Sequence, residues 1–272
     1  MNSSAASSAA EPWLIDAVRA RAAEFATQLR TRPAEVTGAT PLPGFDWTVA
    51  DIAQHVACLP KFWGSISEQG DSFETPSDFA AFSDQARAHI TETDPVALAD
   101  LIEAEFATLA DELSDPSAPT RVLYRQPVST HQLGGLAVSE LVVHGRDLAT
   151  VTKATAPSFT RAEANAAVDG LMAVTPAFVD PDKARKQPDG VYHLSFRGGR
   201  DYTWTKSGPT LAVDEGRPPK ADAHLLADPA MFILSAQGRI GQVRAGLSGK
   251  MMSYGRRPWR FLGLGTLTVD GV

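Results

Sequence analysis

Three side chains in this sequence have the chemistry to hold a catalytic divalent cation: His55, Glu140 and His144. Two imidazole nitrogens and one carboxylate leave coordination positions open, as a catalytic rather than a closed structural site requires. Glu140 and His144 are four residues apart in GGLAVSELVVHGRDLAT, so a helix there stacks them one turn apart on one face. Their neighbours Leu141, Val142 and Val143 are apolar, which draws a polar partner toward an interior where a carboxylate needs a cation or donors. The third ligand must come from another helix. His55 lies in DWTVADIAQHVACL, and packing the two helices face to face converges all three side chains. Singly, the fragments have ordinary readings: a surface Glu–His pair at helical spacing and a satisfied core histidine.

The surrounding residues carry paired readings. Asp51, four residues before His55, either caps its helix or orients the imidazole, and Asp147, three residues after His144, invites the same choice. Cys58, one turn beyond His55, reads as a small buried hydrophobe. Arg121 and Arg125, ahead of the Glu140 helix, either meet a substrate carboxylate or are solvated, and solvation is the better reading. His89, His131, His193 and His224 have no partner at ligand spacing.

The elements that position these residues follow from periodicity. Apolar residues from Trp13 to Leu29 recur at threes and fours, giving an amphipathic helix that ends by Pro33. Thr48 and Asp51 mark the start of a second helix through Val49, Ile52, Val56 and Leu59. From Gly64 to Thr93 the pattern weakens into an irregular crossover with one short helix. Asp94-Pro95 opens a third helix along Leu98, Ile102, Phe106 and Leu113. Residues 115–135, with proline, serine and paired glycine, read as a long loop before a fourth helix from Leu136 to Thr150. Four helices with a long connection predict an irregular bundle. Beyond Thr150 a helix begins near Thr160, where Thr160 and Glu163 form a capping box. VYHLSF, DYTWTK, TLAV and ADAHLL then alternate as strands, Asp228-Pro229 starts a helix, and RFLGLGTLTV reads as a closing strand. The expected fold is therefore a helical bundle followed by a smaller α+β unit, with boundaries at 1–10 (disordered tail), 11–152 (bundle) and 153–272 (α+β).

Composition limits the partners. A net charge of −7 with no long basic run argues against a nucleic-acid surface; GRRPWR at 255–260 is the one dense basic cluster and reads as a solvated turn between strands. One cysteine excludes an internal disulfide and a thiolate-rich zinc site. MNSSAASSAA has neither a positive leader nor an apolar run, and no stretch approaches membrane-spanning length. A cytoplasmic protein with no membrane partner is expected, as monomer or homodimer.

The segments DWTVADIAQHV at 46–56 and SELVVHGRDLA at 139–149 resemble the two metal-binding segments of the mycothiol-dependent maleylpyruvate isomerase family, whose N-terminal part is a DinB-like four-helix bundle. ADAHLLADPAMFILSAQGRIGQVRAGLSGK at 221–250 resembles the sterol-carrier-like domain that follows it in many members, so the resemblance covers 11–272. It implies that His55, Glu140 and His144 bind a divalent metal, usually zinc, and that mycothiol is the thiol cosubstrate. It also implies an arginine from the C-terminal part near the site, either Arg239 or Arg244, and an altered rim at Arg146. The implied reaction is thiol addition with cis–trans isomerisation, or thiol transfer to a small electrophilic substrate. No further catalytic residue is assigned. The same ligands suit a hydrolase using metal-bound water, and a binding protein for an apolar ligand with a structural metal is the non-enzymatic alternative.

Overall fold

The computed structural model describes residues 9–44, 46–69, 84–118, 120–264 and 267. Most of the expected tail and part of the expected crossover lie outside these residues. Ala10, assigned to the tail, is instead buried, and its N–H donates to the Leu113 carbonyl at 3.0 Å.

Helix α1 (Pro12–Arg30) starts with proline, whose missing N–H is no loss in a first turn, and buries Leu14, Val18, Phe25 and Leu29. Helix α2 (Val49–Gln69) opens on the expected reciprocal cap: Asp51 accepts from the Thr48 N–H at 2.8 Å, and Thr48 Oγ1 accepts from the Asp51 N–H at 3.2 Å. Helix α3 (Pro95–Ser114) is capped by the Asp94 carboxylate. Together with α4 (Thr130–Thr152) these form the four-helix bundle, in which α1 and α2 each lie against α3 and α4.

Residues 115–135 are not the long loop their composition suggests. They hold an antiparallel hairpin, β1 (Arg121–Leu123) and β2 (Gln126–Val128), and the start of α4, six residues ahead of Leu136. Ser129 and Gln132 form a capping box there. The paired glycines belong to a helix crossing rather than a turn. A Cβ on Gly135 would lie 1.9 Å from the Ala166 carbonyl oxygen, and one on Gly170 would lie 2.5 Å from that of Gln132. Helix α5 (Arg161–Val174), opened by the expected Thr160–Glu163 box, crosses α4 at this backbone contact.

A 3₁₀ turn (Thr175–Phe178) and the short α6 (Pro181–Arg185) lead to the sheet. Its strands are β3 (Gly190–Phe196), β4 (Asp201–Ser207), β5 (Thr210–Glu215), β6 (Ala223–Ala227) and β7 (Met251–Tyr254), in the order β5-β4-β3-β6-β7. The β3–β6 pair is parallel and the other pairs are antiparallel. Alternation had marked the first four. Tyr192, Leu194, Phe196, Tyr202 and Leu225 share a core with Ala164, Ala167, Val168 and Met172 of α5. Helix α7 (Pro229–Ala236) begins at Asp228-Pro229 as expected and is followed by α8 (Gln242–Leu247).

Among the described residues the last strand is β7, and of the expected closing strand RFLGLGTLTV the part after Leu264 lies, apart from Leu267, outside the described residues. Residues Arg260–Leu264 form helix α9 instead, because the turn after Pro258, with the Phe261 N–H donating to the Pro258 carbonyl, feeds into helix. GRRPWR therefore joins a strand to a helix, and Arg257 and Arg260 reach within 3.9 and 3.8 Å of Asp222. Two cores result, meeting where Val143 of α4 packs with the sheet side and Ala166 and Val174 of α5 pack with the bundle. No helix among the described residues is long and apolar enough to cross a membrane.

Candidate metal centre

Helix α2 presents His55 to the face of α4 that carries Glu140 and His144. One potential ligand atom from each lies within 4.8 Å of the others. Glu140 Oε2 stands 3.1 Å from His144 Nε2 and 3.6 Å from His55 Nε2. The two imidazoles meet edge to face, 4.9 Å between centroids. The side chains are mostly buried, with exposures of 15% for His55, 22% for Glu140 and 9% for His144.

Electrostatics favour an ionised carboxylate between the rings. Burial opposes the charge on Glu140, but hydrogen bonds from His144 and His55 hold it well below the usual carboxylate range. Burial depresses His55. His144 is raised despite burial, through its hydrogen bonds to Asp147 and Glu140.

Asp147 resolves its two readings in favour of the site. Its Oδ2 lies 3.3 Å from His144 Nδ1 and 2.6 Å from an Arg239 guanidinium nitrogen. Arg239, in the turn after α7, also donates to the Gln237 carbonyl at 2.5 Å, and Gln237 Nε2 donates to Ser139 Oγ on α4 at 3.3 Å. Of the two candidate arginines, Arg239 thus reaches the site, while Arg244 is exposed on α8. Asp51 instead caps its helix and pairs with Arg87 at 2.7 Å. Arg146 donates to the Pro157 carbonyl at 2.8 Å. Arg121 pairs with Glu112.

Cys58 is buried, and its Sγ donates to the His55 carbonyl at 3.1 Å. Burial pushes its thiol up to about 12, so it is a neutral, packed thiol. Trp47 lies 5.1 Å from the His55 ring and 6.1 Å from that of His144, and the Arg87 guanidinium sits 5.5 Å over the indole. Sequence reasoning missed both residues. Trp47 stands just before the α2 cap, where its direction is not encoded by helical period, and Arg87 follows a segment without periodicity.

Three of the four histidines without ligand spacing find partners across elements. His131 lies between Glu11 at 2.7 Å and Asp169 at 3.2 Å. His193 and His224 face each other from β3 and β6, with Nδ1 atoms 3.0 Å apart.

The donor set fits a divalent metal. Two imidazoles and an ionised carboxylate converge, and the remote nitrogen of His144 is held by a carboxylate, as is usual for metal-ligating histidine.

Residues 15–149 match the family described as Mycothiol maleylpyruvate isomerase N-terminal domain. Among solved structures, a mycothiol-dependent maleylpyruvate isomerase is 14% identical, with a TM-score of 0.44, 89% of this chain and 91% of that chain covered. A stereoselective inverting sec-alkylsulfatase from a Pseudomonas species is 16% identical with a TM-score of 0.35; 88% of this chain is covered, and the chain spans 33% of that protein's length. At these values neither carries an argument about chemistry. No curated protein matches the chain in sequence.

Proposed function

Because residues 15–149 place this chain in the mycothiol maleylpyruvate isomerase N-terminal domain family, we propose that it is a metal-dependent thiol S-transferase or isomerase that uses mycothiol. His55, Glu140 and His144 would hold the metal, with zinc the best match to two nitrogens and one oxygen. The observation that carries this reading is the convergence of those three ligand atoms within 4.8 Å. A divalent ion held there supplies Lewis acidity that keeps a small thiol deprotonated at neutral pH.

The chain's own residues have separable tasks. Asp147 keeps the His144 proton on Nδ1, leaving Nε2 as the ligating atom. Arg239 keeps Asp147 ionised and ties the sheet-side turn to α4. Trp47 covers one side of both imidazoles and shields them from water. Cys58 is excluded as nucleophile by its burial and raised pKa, so the reacting sulfur comes from a small molecule. The electrophile is a small compound that would meet the thiol at the centre.

Hydrolysis is the weaker reading. It needs a general base, and the nearby carboxylates are committed: Asp51 to Thr48 and Arg87, Asp147 to His144 and Arg239. A purely structural metal is disfavoured by three rather than four protein ligands. The test is cobalt substitution followed by titration with mycothiol. A new sulfur-to-cobalt charge-transfer band is expected; a metal-loaded protein whose spectrum ignores the thiol contradicts the proposal.

A further inference from the structure

Both ring nitrogens of His131 face a carboxylate. Nδ1 lies 2.7 Å from Glu11 Oε2, and Nε2 lies 3.2 Å from Asp169 Oδ2. A neutral imidazole carries one N–H and one lone pair, so it satisfies only one of two groups that accept, whereas the imidazolium donates to both. The arrangement is therefore that of a protonated histidine. Its surroundings support the charge: the hydrogen bond to Asp169 raises the His131 pKa above its ordinary 6.5, burial opposes the rise, and Glu11 adds to it.

The two carboxylates are held differently. Asp169 on α5 is buried, with 8% side-chain exposure, and keeps other donors: the Tyr202 hydroxyl of β4 at 2.5 Å and Arg200 Nε, just ahead of β4, at 3.3 Å. Arg200 also donates to Glu215, the last residue of β5, at 2.6 Å. Glu11, immediately before α1, is 53% exposed, and its side chain makes no capping bond to its own helix. All six side chains border one cavity of about 310 Å³. Within it three carboxylates face two cations while His131 is protonated, and one cation once it is neutral. With a single N–H left, Asp169 retains it, because an exposed carboxylate exchanges a lost donor for water and a buried one does not. Nδ1 then turns a lone pair on Glu11, and the contact is repulsive.

We propose that Glu11, His131 and Asp169 form a pH-sensitive latch, in which protonated His131 clasps the start of α1 to α4 and α5, and loss of its proton releases Glu11 while Asp169 stays bound. The part released is the entry to α1, where the Ala10 N–H donates to the Leu113 carbonyl at the end of α3. Because the His131 pKa is raised in the fold, the clasp is fully present below 6.5 and is lost as pH rises through the folded value. None of these groups belongs to the His55–Glu140–His144 cluster, so the latch stands apart from the metal reading.

The experiment follows the imidazole nitrogens of the full chain by NMR from about pH 5 to about pH 9, with the His131 ring assigned by through-bond correlation to its backbone. His131 should titrate above 6.5, and its neutral form should keep the proton on Nε2, the nitrogen that faces Asp169. Glu11→Gln, whose amide can pair with either form of the ring, should lower the midpoint by about 0.5, the worth of a half-exposed ion pair. Protection of the Ala10 amide against hydrogen exchange should fall through the midpoint in the wild type and hold steady in the variant. A midpoint at or below 6.5, a neutral ring protonated on Nδ1, a midpoint unmoved by Glu11→Gln, or unchanged Ala10 protection across the wild-type titration would each overturn the latch. The tautomer is read on the wild type alone, so the test does not depend on a variant folding.

Discussion

At the scale of single residues, burial decides which polar groups react and which only support. Cys58 and a metal-held thiol illustrate the contrast. The native Cys58 thiol, pushed up to about 12, is almost wholly protonated at pH 8. Alkylation by iodoacetamide should therefore be at least about 100-fold slower in the native protein than after unfolding, and Cys58→Ala should keep thiol binding; rapid native alkylation would show the thiol to be exposed or activated. Asp147 supports differently, through the proton it holds on His144. Asp147→Asn should weaken metal affinity by about 10- to 100-fold, measured by competition with a chromophoric chelator. Unchanged affinity would reduce Asp147 to a domain contact. The convergence of His55, Glu140 and His144 was legible in the sequence because helical spacing and chemical type suffice to propose it. Asp147 was half legible, its spacing clear but its partner Arg239 arriving from 92 residues away.

Elements are held together by caps that also act as struts. Glu163 closes the capping box of α5 and accepts from Arg21 of α1 at 2.9 and 2.8 Å, with 8% side-chain exposure. Burial would raise its pKa, but Arg21 and the Thr160 N–H hold it below the ordinary value of 4.5. A depressed folded-state pKa means that the stabilisation is complete above the unfolded value and is lost as pH falls through the folded one. Glu163→Gln should thus cost about 3 kcal/mol near neutral pH, with the gap between variant and wild type closing as the pH is lowered below that ordinary value. Urea unfolding at pH 7 and pH 3 checks it, and a gap independent of pH would show that the charge contributes nothing. The Thr160–Glu163, Thr48–Asp51 and Asp94-Pro95 signals were readable because caps are local. The hairpin was not, since Tyr-Arg lacks the glycine or asparagine that announces a two-residue turn, and the paired glycines misled because the helix that needs their thinness lies some thirty residues further along the chain.

Across the whole molecule, the bundle and the sheet unit share α4 and α5. Val143 points into one core and Ala166 into the other, and Arg239 reaches from the sheet side to Asp147. One cooperative thermal transition is expected by calorimetry, since neither core closes without the shared helices; two well-separated transitions would show independent units. Such coupling makes the candidate metal centre a property of the full chain, with its three side chains on α2 and α4 and their support from beyond α7. The most direct measurement is therefore the metal content, by elemental analysis, of wild type, His55→Ala and His144→Ala purified without chelators. About one divalent metal per wild-type chain, lost from both variants, is the predicted result. Equal metal in all three proteins, or none in the wild type, would contradict the site.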